Sequence, residues 1–178
     1  ADALFRSRVD GLKTVGKRWQ LVGENLPDTL FGGVVIATPA EQAAPLLHTH
    51  DDAMSEIAEA TVSDPCWTMM AAFSQPIDLD SDVLRECGAI GWAARDGSKP
   101  GRSDGNTWVV QATPEWSREH LELGQDDIAT LLIAALAEQA GGSLPPTTIR
   151  SAHRWRYARS GSASTGTGHL WNSAMDLG

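Results

Sequence analysis

The sequence predicts an α+β fold, a largely antiparallel β-sheet with a few helices, and three observations carry that reading. Short apolar or alternating runs recur at 17–22, 34–37, 66–73, 89–95, 107–112 and 148–157. Turn formers separate them, most densely at 96–105. One longer stretch after Asp126 repeats its apolar residues at helical spacing.

Taken in order, residues 17–22 alternate well enough for a strand. The unbroken run Val34, Val35, Ile36, Ala37 reads as a strand covered on both faces, and the two are expected to pair across 23–33. Pro39 cannot extend a central strand but suits a first helical turn, so 41–47 reads as a short helix. A polar loop, His48 to Asp52, precedes a second short helix at 53–60. Asp64 and Pro65 break the chain before 66–73, a strand by its aromatic and apolar content. Strands 89–95 and 107–112 form a long-looped hairpin. Pro114 and Glu115 suit the start of a helix reaching Leu121. The clearest helix begins near Asp126, places Ile128, Leu131, Leu132, Ala135 and Leu136 on one face, and stops before Gly141 and Gly142. That face must pack on a sheet. A final strand at 148–157 follows Pro145 and Pro146, the Gly/Ser/Thr-rich 160–168 is expected to be flexible, and 169–178 offers no assignment.

A chain of 178 residues can bury one sizeable core. Its net charge of −9 and lack of a Lys/Arg run argue against a nucleic-acid partner, because phosphate neutralisation needs a basic face. No apolar stretch is long enough for a membrane span, and the opening residues lack the hydrophobic segment of a signal peptide. Cys66 and Cys87 sit in apolar contexts without metal-type spacing and read as reduced, buried thiols. The expectation is a cytoplasmic protein with no membrane partner. Seven tryptophans are many for this length; each suits a core, and each also suits a pocket that grips a flat ring.

No Gly-rich dinucleotide fingerprint, phosphate loop or nucleophile elbow is present. His48, His50, Asp51 and Asp52 are metal-ligating types, but as neighbours in a polar loop they read as solvated, so no metal is expected. His120 and His169 have no acid or nucleophile beside them to form a triad. More specific are Trp92, Arg95 and Lys99 around the hairpin turn, with Trp108 and Gln111 on its return strand. They could present aromatic and cationic groups to an anionic, ring-bearing ligand. From chemistry alone a solvated loop between core tryptophans is the stronger reading. In His153-Arg154-Trp155-Arg156-Tyr157, alternation sends His153 and Trp155 to one face and both arginines to the other.

Four blocks, 63–67, 91–102, 107–117 and 153–158, resemble in order and spacing the bacterial renalase-like FAD-dependent amine oxidases. That resemblance covers nearly the whole chain. It implies a two-domain flavoprotein in which a substrate-domain sheet covers the flavin ring, and it places this sequence in the middle of such a protein. The family's opening Gly-rich βαβ unit and closing Gly-Asp-Trp segment have no counterpart in these residues. The implied organisation is 1–40 leading from and to the FAD-binding domain, 41–159 as the substrate-binding sheet, and 160–178 leading towards the remaining FAD-binding part. Val9, Ala37, Thr38 and Pro39 are the implied cofactor neighbours; Trp92, Arg95, Gln111 and Trp155 are expected to line the substrate side, with Lys99 as a phosphate contact, as a reading of these residues and not as matches to the family's known set. No catalytic side chain is singled out, because the flavin carries the chemistry. The implied reaction is oxidation of dihydronicotinamide isomers or, as a second choice, amines, with electrons passed to oxygen. These 178 residues alone are expected to bind no FAD, to be inactive, and to self-associate through the exposed flavin-facing side. The competing reading is a non-catalytic ligand- or protein-binding domain.

Overall fold

The computed structural model describes residues 2–103, 105–161 and 168–178, which form two antiparallel sheets and four α-helices. They divide into two compact units, one made of Asp64–Arg159 and the other of Ala1–Ser63 with Ser160–Gly178. The unit boundary thus falls after residue 63 rather than at 40, because both helices of 41–60 pack with the N-terminal strands. The expected flexible stretch 160–168 lies mostly outside the described residues.

In the first unit β1 (Arg8–Val15) and β2 (Arg18–Glu24) form a hairpin, and β3 (Leu30–Phe31) pairs with the other edge of β2. A register shift between Val9 and Gly11 breaks the alternation of β1, which is why periodicity did not reveal that strand. Gly23 lies opposite the shift with φ +155°, where any Cβ would strike the Arg8 carbonyl oxygen. The run at 34–37 does not pair with β2 as expected and is not a regular strand. It is extended and bonded to the chain end: Val34 N donates to Asp176 O at 2.9 Å and Gly178 N to Val34 O at 3.0 Å. Nor is it covered on both faces, since Val35 is 74% exposed.

Helices α1 (Ala40–Leu47) and α2 (Asp52–Ala60) close this unit over Trp19, Ala44, Leu47, Met54 and Leu177. Trp19 is buried, donates from Nε1 to the Met175 carbonyl at 2.8 Å, and meets the His50 ring edge-on at 4.8 Å. His50 Nε2 lies 3.0 Å from the Leu12 carbonyl, so this histidine is held by structure. Asp51 caps α2 through Met54 N and accepts from Asn172 Nδ2 at 2.7 Å. Among the described residues no three His, Cys, Asp or Glu side chains gather as a metal site.

In the second unit β4 (Asp64–Phe73), β5 (Val83–Cys87), β6 (Ile90–Arg95), β7 (Thr107–Ala112) and β8 (Thr147–Arg159) form one antiparallel sheet in the order β5-β6-β7-β4-β8. Helices α3 (Pro114–Glu119) and α4 (Gln125–Gln139) follow β7. Strand β5 was not foreseen; its residues, Val-Leu-Arg-Glu-Cys, alternate poorly, and Glu86 has φ +50°. Ile128, Ala129, Leu132 and Leu136 of α4 are buried with Trp67, Met69, Ala71, Trp108 and Val110 of the sheet. Each large side chain buried there contributes about 1.5–3 kcal/mol. Leu131, expected on that face, is instead 40% exposed, and Ala129 takes its place. No helix among the described residues is long and apolar enough to cross a membrane.

Two outcomes follow for stability. Leu132→Ala should cost about 2–5 kcal/mol in chemical denaturation, whereas Leu131→Ala should cost under about 1 kcal/mol because that side chain is already half in water. The Met54 backbone bond, then the Asn172 amide, hold the Asp51 carboxyl below its ordinary range. The folded state therefore binds this proton less readily than the unfolded chain. Its stabilisation is present above the ordinary carboxylate value near ~4, and it is lost as pH falls through that value and then through the lower folded one. Asp51→Ala should lower stability by about 1 kcal/mol at pH 7, with the deficit against wild type closing in acid; a deficit that persists unchanged below pH ~3 would refute this.

Candidate functional site

Helix α4 covers one face of the five-stranded sheet, so strand parity determines which side chains the other face presents. On β4 the core takes Trp67, Met69 and Ala71, leaving Cys66, Thr68 and Met70 on the open face. On β7 it takes Trp108 and Val110, leaving Val109 and Gln111. Strand β6 would by the same rule place Trp92 with the buried Ile90. A register shift between Ile90 and Trp92 prevents this, pairing Ile90 with Ala112 but Trp92 with Gln111. The extra residue is Gly91, and this bulge moves the indole to the open face. A cross-strand row results there, Arg85–Trp92–Gln111–Thr68–His153, crossing all five strands. One step along, Trp155 pairs with Cys66.

This end of the open face holds a cleft of about 740 Å³. Trp92, Gln111, Cys66, Thr68, Trp155 and Tyr157 line it, and Asp64, Glu86, Glu115 and Arg159 also contribute to its wall. Trp92 and Trp155 stand on strands separated by two others, so their backbones are roughly 14 Å apart, enough to admit a small ring system between them. Trp155 is 54% exposed and its main aromatic neighbour is His153, edge-on at 4.6 Å. Three carboxylates thus stand against one cation in the lining. Arg118, outside the cleft, pairs with Asp64 and lies 3.7 Å from Glu115, while Glu86 has no ion-pair partner among the described residues. Burial pushes the Cys66 thiol up, offset in part by the Thr68 hydroxyl, and the thiol can donate to the Ala112 carbonyl.

Of the side chains proposed from sequence for a substrate, the fold brings Trp92, Gln111 and Trp155 to this cleft. Arg95 is elsewhere: it pairs across the strands with Trp108, and its guanidinium lies 5.6 Å from the centre of that buried ring. Its Nε is 2.9 Å from Asp82 Oδ1 without an aligned N–H, so the contact is an ion pair, while Nη2 donates to Ile77 O. Lys99, in the loop after β6, is occupied by Asp96 at 2.9 Å. Both cations are held by carboxylates away from the cleft. In the other unit Val9 is half-buried on β1, Ala37 and Thr38 are exposed, and Pro39 precedes α1. Sequence reasoning did not single out Cys66, Thr68, Glu86, Glu115 or Tyr157. The parity of β4 relative to Trp67 could have indicated the first two, but nothing local marks the carboxylates.

The fold recurs in part of several solved structures. No protein-family model matches the chain. Among similar solved structures, one described as a protoporphyrinogen oxidase from an Exiguobacterium species superposes with a TM-score of 0.67 at 16% identity, over 88% of this chain and 36% of that one. Cyclohexylamine oxidase from Brevibacterium oxydans gives 0.63 at 13% identity, over 83% and 34%. A putrescine oxidase variant from a redesign of cofactor binding gives 0.63 at 13%, over 82% and 33%. The chain therefore spans about a third of the length of each.

The half-buried thiol gives this geometry a direct check. In a Cys87→Ser background, alkylation of Cys66 should be slow at neutral pH and rise with a midpoint above the ordinary thiol value near ~8.5, since only the thiolate reacts. A midpoint at or below that value would mean that the cleft floor is not desolvated.

Proposed function

We propose that this chain is the substrate-side portion of a FAD-dependent oxidase, with the open face of the five-stranded sheet as the wall of its substrate site. The observation that carries the proposal is the one-sided sheet. In a fold shared with parts of a cyclohexylamine oxidase and a putrescine oxidase, the face that α4 leaves open keeps an aromatic cleft whose wall includes Asp64, Glu86 and Glu115, the last on the first turn of α3. The carboxylates favour an amine substrate over an anionic dinucleotide: Glu86 and Glu115 would attract an ammonium group, and Trp92, Trp155 and Tyr157 would receive its apolar or ring portion. A second reading, a dihydronicotinamide, is favoured by the flat indoles together with Arg159.

When bound, FAD would supply the redox chemistry, accepting a hydride from the donor carbon and passing electrons to oxygen. The chain's own part is to orient that carbon and exclude water. The residues named for the cofactor fit a limited role. Ala37 and Thr38 are exposed beside the start of α1, but that helix carries Glu41 in its first turn, bonded to Ser63, which disfavours a pyrophosphate. Most of the grip on FAD is therefore assigned to other segments of the parent protein.

In the product of the full open reading frame, Trp92→Ala and Trp155→Ala should each raise KM for benzylamine oxidation about tenfold, equivalent to ~1.4 kcal/mol. Arg95→Ala should lower thermal stability and leave KM nearly unchanged, as its guanidinium serves Asp82 and Trp108. Turnover of a dihydronicotinamide isomer but not of amines would favour the second reading, and turnover of neither would reject both.

A further inference from the structure

We propose that Glu122, outside the cleft and on the opposite side of the sheet, is a positioning residue for the Trp155–Tyr157 wall. Strand β8 is an edge strand, bonded only to β4, and its ladder becomes irregular just where the cleft begins. Between the pairs Cys66↔Trp155 and Asp64↔Arg159, two steps along β4 correspond to four along β8. The ladder therefore leaves the backbone around Tyr157 under-determined.

What holds it is on the other face. Arg154 and Arg156, the neighbours of Trp155 in sequence, both reach Glu122 in the loop between α3 and α4. Arg156 binds it as a fork, Nη1 to Oε1 at 3.0 Å and Nη2 to Oε2 at 3.1 Å, while Arg154 Nη1 meets Oε2 at 3.0 Å. Arg154 Nη1 also donates to the Leu121 carbonyl, and its guanidinium lies 5.6 Å from the centre of the Trp67 ring. One carboxylate thereby fixes the peptide on both sides of Trp155. An exposed ion-pair network contributes little to global stability. Here its consequence is local, on an edge strand with no neighbour beyond it, and the indole it orients has little packing of its own.

This inference rests on the reading of the cleft as a binding wall, and its test separates the two. In the 178-residue chain labelled with ¹⁵N-tryptophan, with Trp155 assigned through Trp155→Phe, Glu122→Gln should shift and broaden the Trp155 indole resonance. The thermal midpoint should stay unchanged. Arg156→Lys, which keeps the charge but cannot form the fork, should act alike, and Glu122→Asp should restore much of the wild-type resonance. With benzylamine as the probe, Glu122→Gln should weaken binding about fivefold. An unmoved Trp155 resonance in Glu122→Gln would overturn the positioning role, as would a large fall in melting temperature, which would make the clamp a general support. Failure of the wild-type chain to bind benzylamine would count against the amine reading, and the resonance would still decide the clamp.

Discussion

The contact between α4 and one face of the five-stranded sheet is the constraint on which the site depends. Ile128, Leu132 and Leu136 bury the alternate residues Trp67, Met69, Trp108 and Val110, and once these face inward their neighbours must face outward. A slip of one residue in β4 or β7 would put Thr68 or Gln111 into an apolar core, where an unpaired polar group costs about 1–3 kcal/mol. Composition of the open face is therefore set from the covered one. The core decides where the cleft's polar groups stand before any ligand is considered.

Two departures from strict alternation then shape the cleft, both at its walls. Gly91 adds one residue to β6 and turns Trp92 away from a core that its strand position would otherwise assign to it. The irregular pairing after Trp155 lets β8 present Tyr157, Ala158 and Arg159 to the same space within a few residues. The central strands β7 and β4 keep regular register through Gln111 and Thr68, giving a flat floor. Bulges at the margins and regularity in the middle make a trough of a sheet that would otherwise be featureless.

How much of this the sequence revealed follows from the same physics. Strands β4, β6, β7 and β8 and the helices were legible because each carries its own periodicity or turn chemistry. The face assignments of His153, Arg154 and Trp155 were also legible, since β8 keeps regular register through them, and Arg156 joins Arg154 at Glu122. The 34–37 segment was misread because an unbroken apolar run says how buried a strand should be but not what it bonds to, and its partner, 176–178, has no strand-like pattern. Arg95 looked like a ligand for anions because it follows Trp92 in a tryptophan-rich hairpin. From Trp92, three residues of regular alternation place it on the opposite face, where Asp82 and Trp108 take it. The bulge could have been suspected from Gly91 alone, but a lone glycine does not say which side of it is shifted.

Charge is distributed across the sheet with a similar economy. Arg95, Arg154 and Arg156 all lie on the helix side or its margin, each matched to a carboxylate, Asp82 or Glu122. In a chain of net charge −9, committing these cations to structural partners leaves the cleft lining with Asp64, Glu86 and Glu115 against Arg159. Arg118 draws on Asp64 and Glu115 from outside, which leaves Glu86 as the least compensated carboxylate there. A group entering between the indoles would meet apolar ring faces, which attract cations through their quadrupole, in a lining with more carboxylates than cations, although Arg85 stands beside Trp92 in the same row. Both effects favour a protonated amine and disfavour a phosphate. The selectivity proposed for this face thus follows from where the fold has already placed its arginines.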